Sequence, residues 1–125
     1  MTEFTIHLAN RPGQLAGLAK VMSDGGVNIE ALAAFGVGEL GVVRMVVSDA
    51  EVARRVINEA GLVFEERRVL TTLLSHRPGA LAALTQSLAD AGVNIDGLYV
   101  LHSHDDEIEL AIAVSDEEAA RAALE

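Results

Sequence analysis

Apolar and polar residues alternate from Glu3 to Ala9, with Phe4, Ile6 and Leu8 on one side and Thr5 and His7 on the other. This pattern predicts a strand with one buried face. The spacing then changes to Leu15, Leu18, Val21 and Met22, a single stripe along a helix that ends near Gly25-Gly26. Residues 28–37 read as a second strand with Ile29, Ala31, Ala33 and Phe35 on one face, and residues 42–47 as a valine-rich third strand. The glycine-rich segment from Gly36 to Gly41 is read as the hairpin between them. Ser48-Asp49-Ala50-Glu51 has the form of a capping box, with Ser48 as the cap. The helix it opens carries Val52, Val56 and Ile57 and stops at Gly61, and residues 62–66 form a fourth strand.

The order β-α-β-β-α-β is the ferredoxin-like unit, and the sequence begins it again. Asn10-Arg11-Pro12-Gly13-Gln14-Leu15, followed by Gly26-Val27-Asn28-Ile29, returns as His76-Arg77-Pro78-Gly79-Ala80-Leu81, followed by Gly92-Val93-Asn94-Ile95. The second round predicts strands at 69–75, 94–102 and 108–114 and a helix at 79–91. A second capping box follows at Ser115-Asp116-Glu117-Glu118, then a last helix to Leu124, with no final strand. One residue is gained relative to the first round, and the hairpin His102–Glu107 is the expected place. The fold class expected is α+β: two tandem βαββαβ units, residues 1–67 and 68–125, each an antiparallel sheet with helices on one face, the second without its last strand.

Half of the 125 residues are apolar, enough for a packed core. A unit of ~60 residues is marginal by itself, so a shared core or sheet is expected. No glycine or proline falls between Leu62 and Ser75, which suggests one long strand, bent near Glu65–Arg68, running from one unit into the next. The helix-distal sheet face is expected to carry Leu32, Ala34, Val42, Val46, Leu98, Val100, Ala111 and Ala113. Such an apolar face and an open sheet edge predict self-association as a homodimer.

Charge removes several functions. With a net charge of −10, a nucleic-acid partner is not expected, because phosphates require a basic face; neither is an anionic membrane surface. The chain has no cysteine, hence no disulfide framework or thiolate metal site. No apolar run approaches the ~20 residues of a membrane span, and the N-terminal residues lack the form of a secretory signal, so a cytoplasmic location is expected. Neither a nucleophile elbow nor a phosphate loop is present, so the chain reads as not an enzyme, with no cofactor implied. His102–Glu107 is the one cluster of imidazoles and carboxylates; it reads first as a solvated turn and second as an adventitious metal site.

The repeated stretch carries the candidate chemistry. A helix start preceded by Arg-Pro-Gly aims free N–H groups outward, a seat for a carboxylate, and Gly13 and Gly79 let a ligand approach closely. Asn10 and Asn28 are expected to flank this point at the ends of adjacent strands, where an amide oxygen accepts from an ammonium. Together these fit an α-amino acid. Asn28 and Asn94 would equally serve to satisfy backbone groups after the preceding helix.

In this motif pair the chain resembles the ACT domain family, over nearly its whole length and as two tandem copies. The resemblance implies a regulatory module that binds a small amino acid where two such units meet and that acts on a separate enzyme of amino-acid metabolism. It implies ligand-binding residues at Asn10, Gly13, Gln14, Leu15, Asn28 and Ile29, and at His76, Gly79, Ala80, Leu81, Asn94 and Ile95. Serine-sensing members have a histidine where this chain has Leu8 and Leu74, and the loop asparagine becomes His76 in the second copy. These replacements point to a more hydrophobic ligand and to two inequivalent sites. The alternative is a structural subunit that holds a partner enzyme without sensing a ligand.

Overall fold

The computed structural model describes residues Met1–Glu125, and the chain divides into two compact units, Met1–Arg68 and Val69–Glu125. The first contains β1 (Thr2–Ala9), α1 (Gln14–Asp24), β2 (Ile29–Val37), β3 (Leu40–Val47), α2 (Ala50–Glu59) and β4 (Phe64–Arg68). The second contains β5 (Leu70–Ser75), α3 (Ala80–Asp90), β6 (Ile95–His104), β7 (Glu107–Val114) and α4 (Glu117–Leu124). Each unit has its own antiparallel sheet, in the orders β2-β3-β1-β4 and β5-β7-β6.

Both cores follow from one periodicity meeting another. Phe4 and Ile6 of β1 and Val43, Met45 and Val47 of β3 point to the same side as Leu18 and Met22 of α1 and Ala53, Val56 and Ile57 of α2. Leu70, Leu110 and Ile112 meet Leu84 and Leu88 of α3 and Ala120 of α4 in the second unit. Helices therefore cover one face of each sheet. The helix stripes are shorter than the sequence suggests: Leu15 and Leu81, in the first turns of α1 and α3, are 43% and 49% exposed.

Helix ends explain several boundaries. Gly26 and Gly92 adopt φ of 76° and 73°. The N–H of Val27 reaches the carbonyl of Met22, and that of Val93 the carbonyl of Leu88, each at 2.9 Å. This is the Schellman closure that a left-handed glycine permits. The same closure after α2, from Leu62 N–H to Ile57 O, occupies Leu62, so β4 begins at Phe64 and not at Leu62 as expected. The caps of α2 and α4 are Asp49 and Asp116, not the serines before them. Their carboxylates accept from Val52 N–H at 3.2 Å and Ala119 N–H at 3.0 Å. Ser115 Oγ instead accepts from Asn94 N–H.

Three expectations about the sheets are corrected. β4 and β5 do not form one long strand; Val69 separates them, and they belong to different sheets. No common sheet is formed, and two distinct core clusters are present. The assignment of faces is also altered. Register shifts between Ile29 and Ala31, and between Ile95 and Gly97, mark Glu30 and Asp96 as bulge residues, and each bulge reverses the alternation that follows it. Leu32 and Ala34 thus pair with Met45 and Val43 on the helix side, and Leu98 packs against the second core with Val100 opposite Leu110. Ala31, Ala33 and Phe35 lie on the other face with Val46, Arg44 and Val42.

The hairpins are tighter than expected. Only Gly38-Glu39 joins β2 to β3 and only Asp105-Asp106 joins β6 to β7, with φ of 59° at Gly38 and 42° at Asp105, positions that favour glycine, asparagine or aspartate. The residue gained by the second unit is therefore not in the turn. It is Leu101, at the register shift between Val100 and His102. His102 and His104 extend along β6 with ring centroids 6.5 Å apart, and no group of three or more metal-binding side chains is assembled there or elsewhere.

Candidate functional site

Two of the four helices have an acidic cap, and the two that follow the repeated loops have no side-chain cap at all. Gly13 and Gly79 precede α1 and α3 with φ of 89° and 87°, a conformation costly for any residue with a Cβ. The N–H groups of Gln14 and Ala80 turn back to Arg11 O and Arg77 O, each at 3.3 Å, and those of Leu15 and Ala16, and of Leu81 and Ala82, are left at the positive end of the helix dipole. A carboxylate is the natural occupant of such a terminus.

Asn10 forms the wall beside α1. Its N–H donates to Glu39 O at 2.9 Å, and its side-chain Nδ2 donates to Gly38 O at 2.9 Å. The loop is thus tied to the tip of the β2–β3 hairpin, and Oδ1 remains open to a donor. Between loop and hairpin lies a cleft of about 140 Å³ lined by Asn10, Arg11, Gln14, Leu15, Phe35 and Gly36, among others. That volume suits a small molecule of amino-acid size and is far below the ~300–1,000 Å³ of drug-sized pockets.

Asn10, Gln14 and Leu15 are therefore brought together, with Gly13 heading the helix beside them. Asn28 and Ile29 are not in this cleft. β1 and β2 are not adjacent, since β3 lies between them, and β1 ends level with the end of β2: Ala9 and Val37 both pair with Leu40. Asn28 stands just before Ile29, the first residue of β2, whereas the cleft meets that strand near its far end, at Phe35 and Gly36. The interval is roughly 20–25 Å at the rise of an extended strand. The expectation that Asn10 and Asn28 flank one point within a unit is therefore corrected: they stand at opposite ends of the sheet.

Each strand-opening asparagine is tied to the acid of the bulge that follows it. Asn28 Nδ2 donates to Glu30 Oε1 at 3.0 Å, and Asn94 Nδ2 donates to Asp96 Oδ1 at 2.6 Å. These amide hydrogens thus go to a side chain and not to the helix-end backbone. In the second unit His76 N–H donates to Asp106 O, as Asn10 N–H does to Glu39 O. His76, Gly79, Ala80 and Leu81 occupy the second loop or the helix start after it, and Asn94 and Ile95 open β6.

Sequence reasoning missed Arg11, Phe35 and Gly36 as cleft residues. Arg11 lies in plain view inside the repeated motif. Gly36 carries a signal too, because a glycine inside a strand often marks a close approach.

A family model described as an ACT domain pair matches residues 1–123. The chain belongs to that family. Among solved structures, the ACT pair is similar to protein BT0572 from Bacteroides thetaiotaomicron, at 24% identity over 98% of this chain and 85% of that one, with a TM-score of 0.87. It is also similar to the ligand-free regulatory subunit of aspartate kinase from Thermus thermophilus, at 18% identity over 98% and 87% of the two chains, with a TM-score of 0.72. The regulatory subunit of aspartate kinase from Thermus flavus matches at 19% identity over 98% and 88%, with a TM-score of 0.63. At these identities the likeness is one of fold. No curated protein sequence matches the chain. No helix of the ACT pair is long and apolar enough to cross a membrane.

Proposed function

We propose that this ACT pair is a non-catalytic, cytoplasmic amino-acid sensor that acts as a homodimer on a separate enzyme of amino-acid metabolism. The observation that carries the proposal is the cleft beside the uncapped start of α1, where free N–H groups and an open amide oxygen border a space of amino-acid size. The carboxylate sits at the helix start, near Gly13, Gln14 and Leu15, and the ammonium donates to Asn10 Oδ1. Leu15 and Leu8 offer the apolar wall, which favours a hydrophobic side chain on the ligand.

The position of Asn28 supports a two-copy site. β2 is an edge strand, and Leu32, Phe35, Val37 and Leu40, on it or on its hairpin, are 45–74% exposed. Such an edge invites pairing. If two copies pair antiparallel through β2, the end of one strand meets the beginning of the other, and Asn28 and Ile29 of the second copy arrive beside the Asn10 cleft. His76, Gly79, Ala80, Leu81, Asn94 and Ile95 make a second, inequivalent seat. The two aspartate kinase neighbours are regulatory subunits by name, which agrees with a regulatory role here.

A thermal-shift panel of the twenty amino acids tests the proposal. A true ligand at about 100 times its Kd adds about 2.7 kcal/mol of stability, so one or a few amino acids should raise the melting temperature clearly. A flat panel contradicts sensing. The exposed apolar hairpin favours a second reading, a structural subunit that docks on a partner enzyme. Replacing Asn28 and Asn94 by alanine separates the two: a sensor loses its ligand response, whereas a docking subunit has none to lose and still binds its enzyme.

A further inference from the structure

We infer that Gly36 is a positioning residue of the amino-acid seat, present so that the Asn10 amide can lie flat against β2; the inference rests on the reading of that cleft as an amino-acid seat. A Cβ added at Gly36 would fall 2.6 Å from Asn10 Nδ2 and 2.8 Å from both its Cγ and its Oδ1. Three amide atoms at nearly equal distance mean that the amide plane rests on the bare Cα. Gly36 is not among the glycines with positive φ, so its backbone would accept alanine. Space, not conformation, is what glycine supplies here.

The second unit shows the alternative. Gly36 and Leu8 both pair with Gly41; Ser103 and Leu74 both pair with Ile108. Ser103 is thus the register counterpart of Gly36, and His76 is the sequence counterpart of Asn10. Where glycine gives way to a residue with a Cβ, asparagine has given way as well. The two loops therefore differ in kind, and only the first holds an amide in this pose. The first seat thus makes an amide contact that the second cannot, and the two seats of a chain bind with different affinities.

The test is Gly36→Ala in the full chain, read in two ways. Isothermal titration with the amino acid found in the thermal panel should show a Kd weaker by about tenfold or more, at an unchanged urea midpoint. Asn10→Ala combined with Gly36→Ala should be no weaker than Asn10→Ala alone, since both act through one amide. Without ligand, the Asn10 side-chain NH₂ resonances should shift in ¹⁵N spectra of Gly36→Ala. Unchanged resonances and unchanged affinity overturn the inference, as do additive losses in the double variant or two equal sites per chain in the wild type. Shifted resonances in a protein that binds no amino acid support the contact and overturn the seat instead.

Discussion

Truncating Phe4 to alanine is expected to destabilise the first ACT unit by about 3–5 kcal/mol. Phe4 is fully buried in β1, within the cluster that joins β1 and β3 to both helices. Its ring also meets that of Phe64 on β4 with centroids 5.6 Å apart and planes tilted by 46°, a geometry that adds about 0.5–1.5 kcal/mol beyond burial. The cavity left behind touches strands and helices together, so little of it can collapse. Against a total stability of about 5–15 kcal/mol for a small domain, the loss is large. Urea denaturation should show a much lower midpoint with a similar slope. A cost below about 0.5 kcal/mol, the range of a surface change, would mean that β1 is not the centre of this core.

The second large effect concerns ligand binding. Asn10→Ala and Asn28→Ala should each raise the Kd for the amino acid by about tenfold to 150-fold, because a hydrogen bond to a charged group is worth about 1.5–3 kcal/mol. Asn10→Ala also removes the tie from Nδ2 to Gly38 O, so its effect should be the larger. Asn28→Ala takes one partner from Glu30 on the surface and should change stability little. Titration calorimetry on the two variants measures both. Wild-type affinity in Asn28→Ala would remove that residue from the seat.

Much of the fold was legible because its signals are local. The alternation of Phe4, Ile6 and Leu8, the helix-ending Gly26 and Gly92, and the repeated Arg-Pro-Gly loop each follow from neighbours in sequence. The faces of β2 and β6 were not legible. Ala31, Ala33 and Ala34 are small and indifferent to burial, so nothing in the sequence marks where the bulges at Glu30 and Asp96 reverse the alternation. The caps were misplaced by one residue because Ser48 and Asp49 are both good caps, and only geometry shows which oxygen reaches Val52. The loop half of the site was legible through its duplication. Phe35 and Gly36 enter only through strand register, and the distance between Asn10 and Asn28 follows from β1 and β2 running parallel, so that the end of one lies across the sheet from the start of the other.

The most direct measurement mixes two defective proteins. Asn10→Ala and Asn28→Ala chains, each impaired alone, are unfolded together, refolded into mixed dimers and titrated with the amino acid. In a mixed dimer one seat lacks both asparagines and the other has both, so antiparallel pairing through β2 predicts that wild-type affinity returns at one seat per mixed dimer, which is one seat per four chains after random pairing of equal amounts. Mixed dimers that bind no better than either parent would contradict a seat shared between copies.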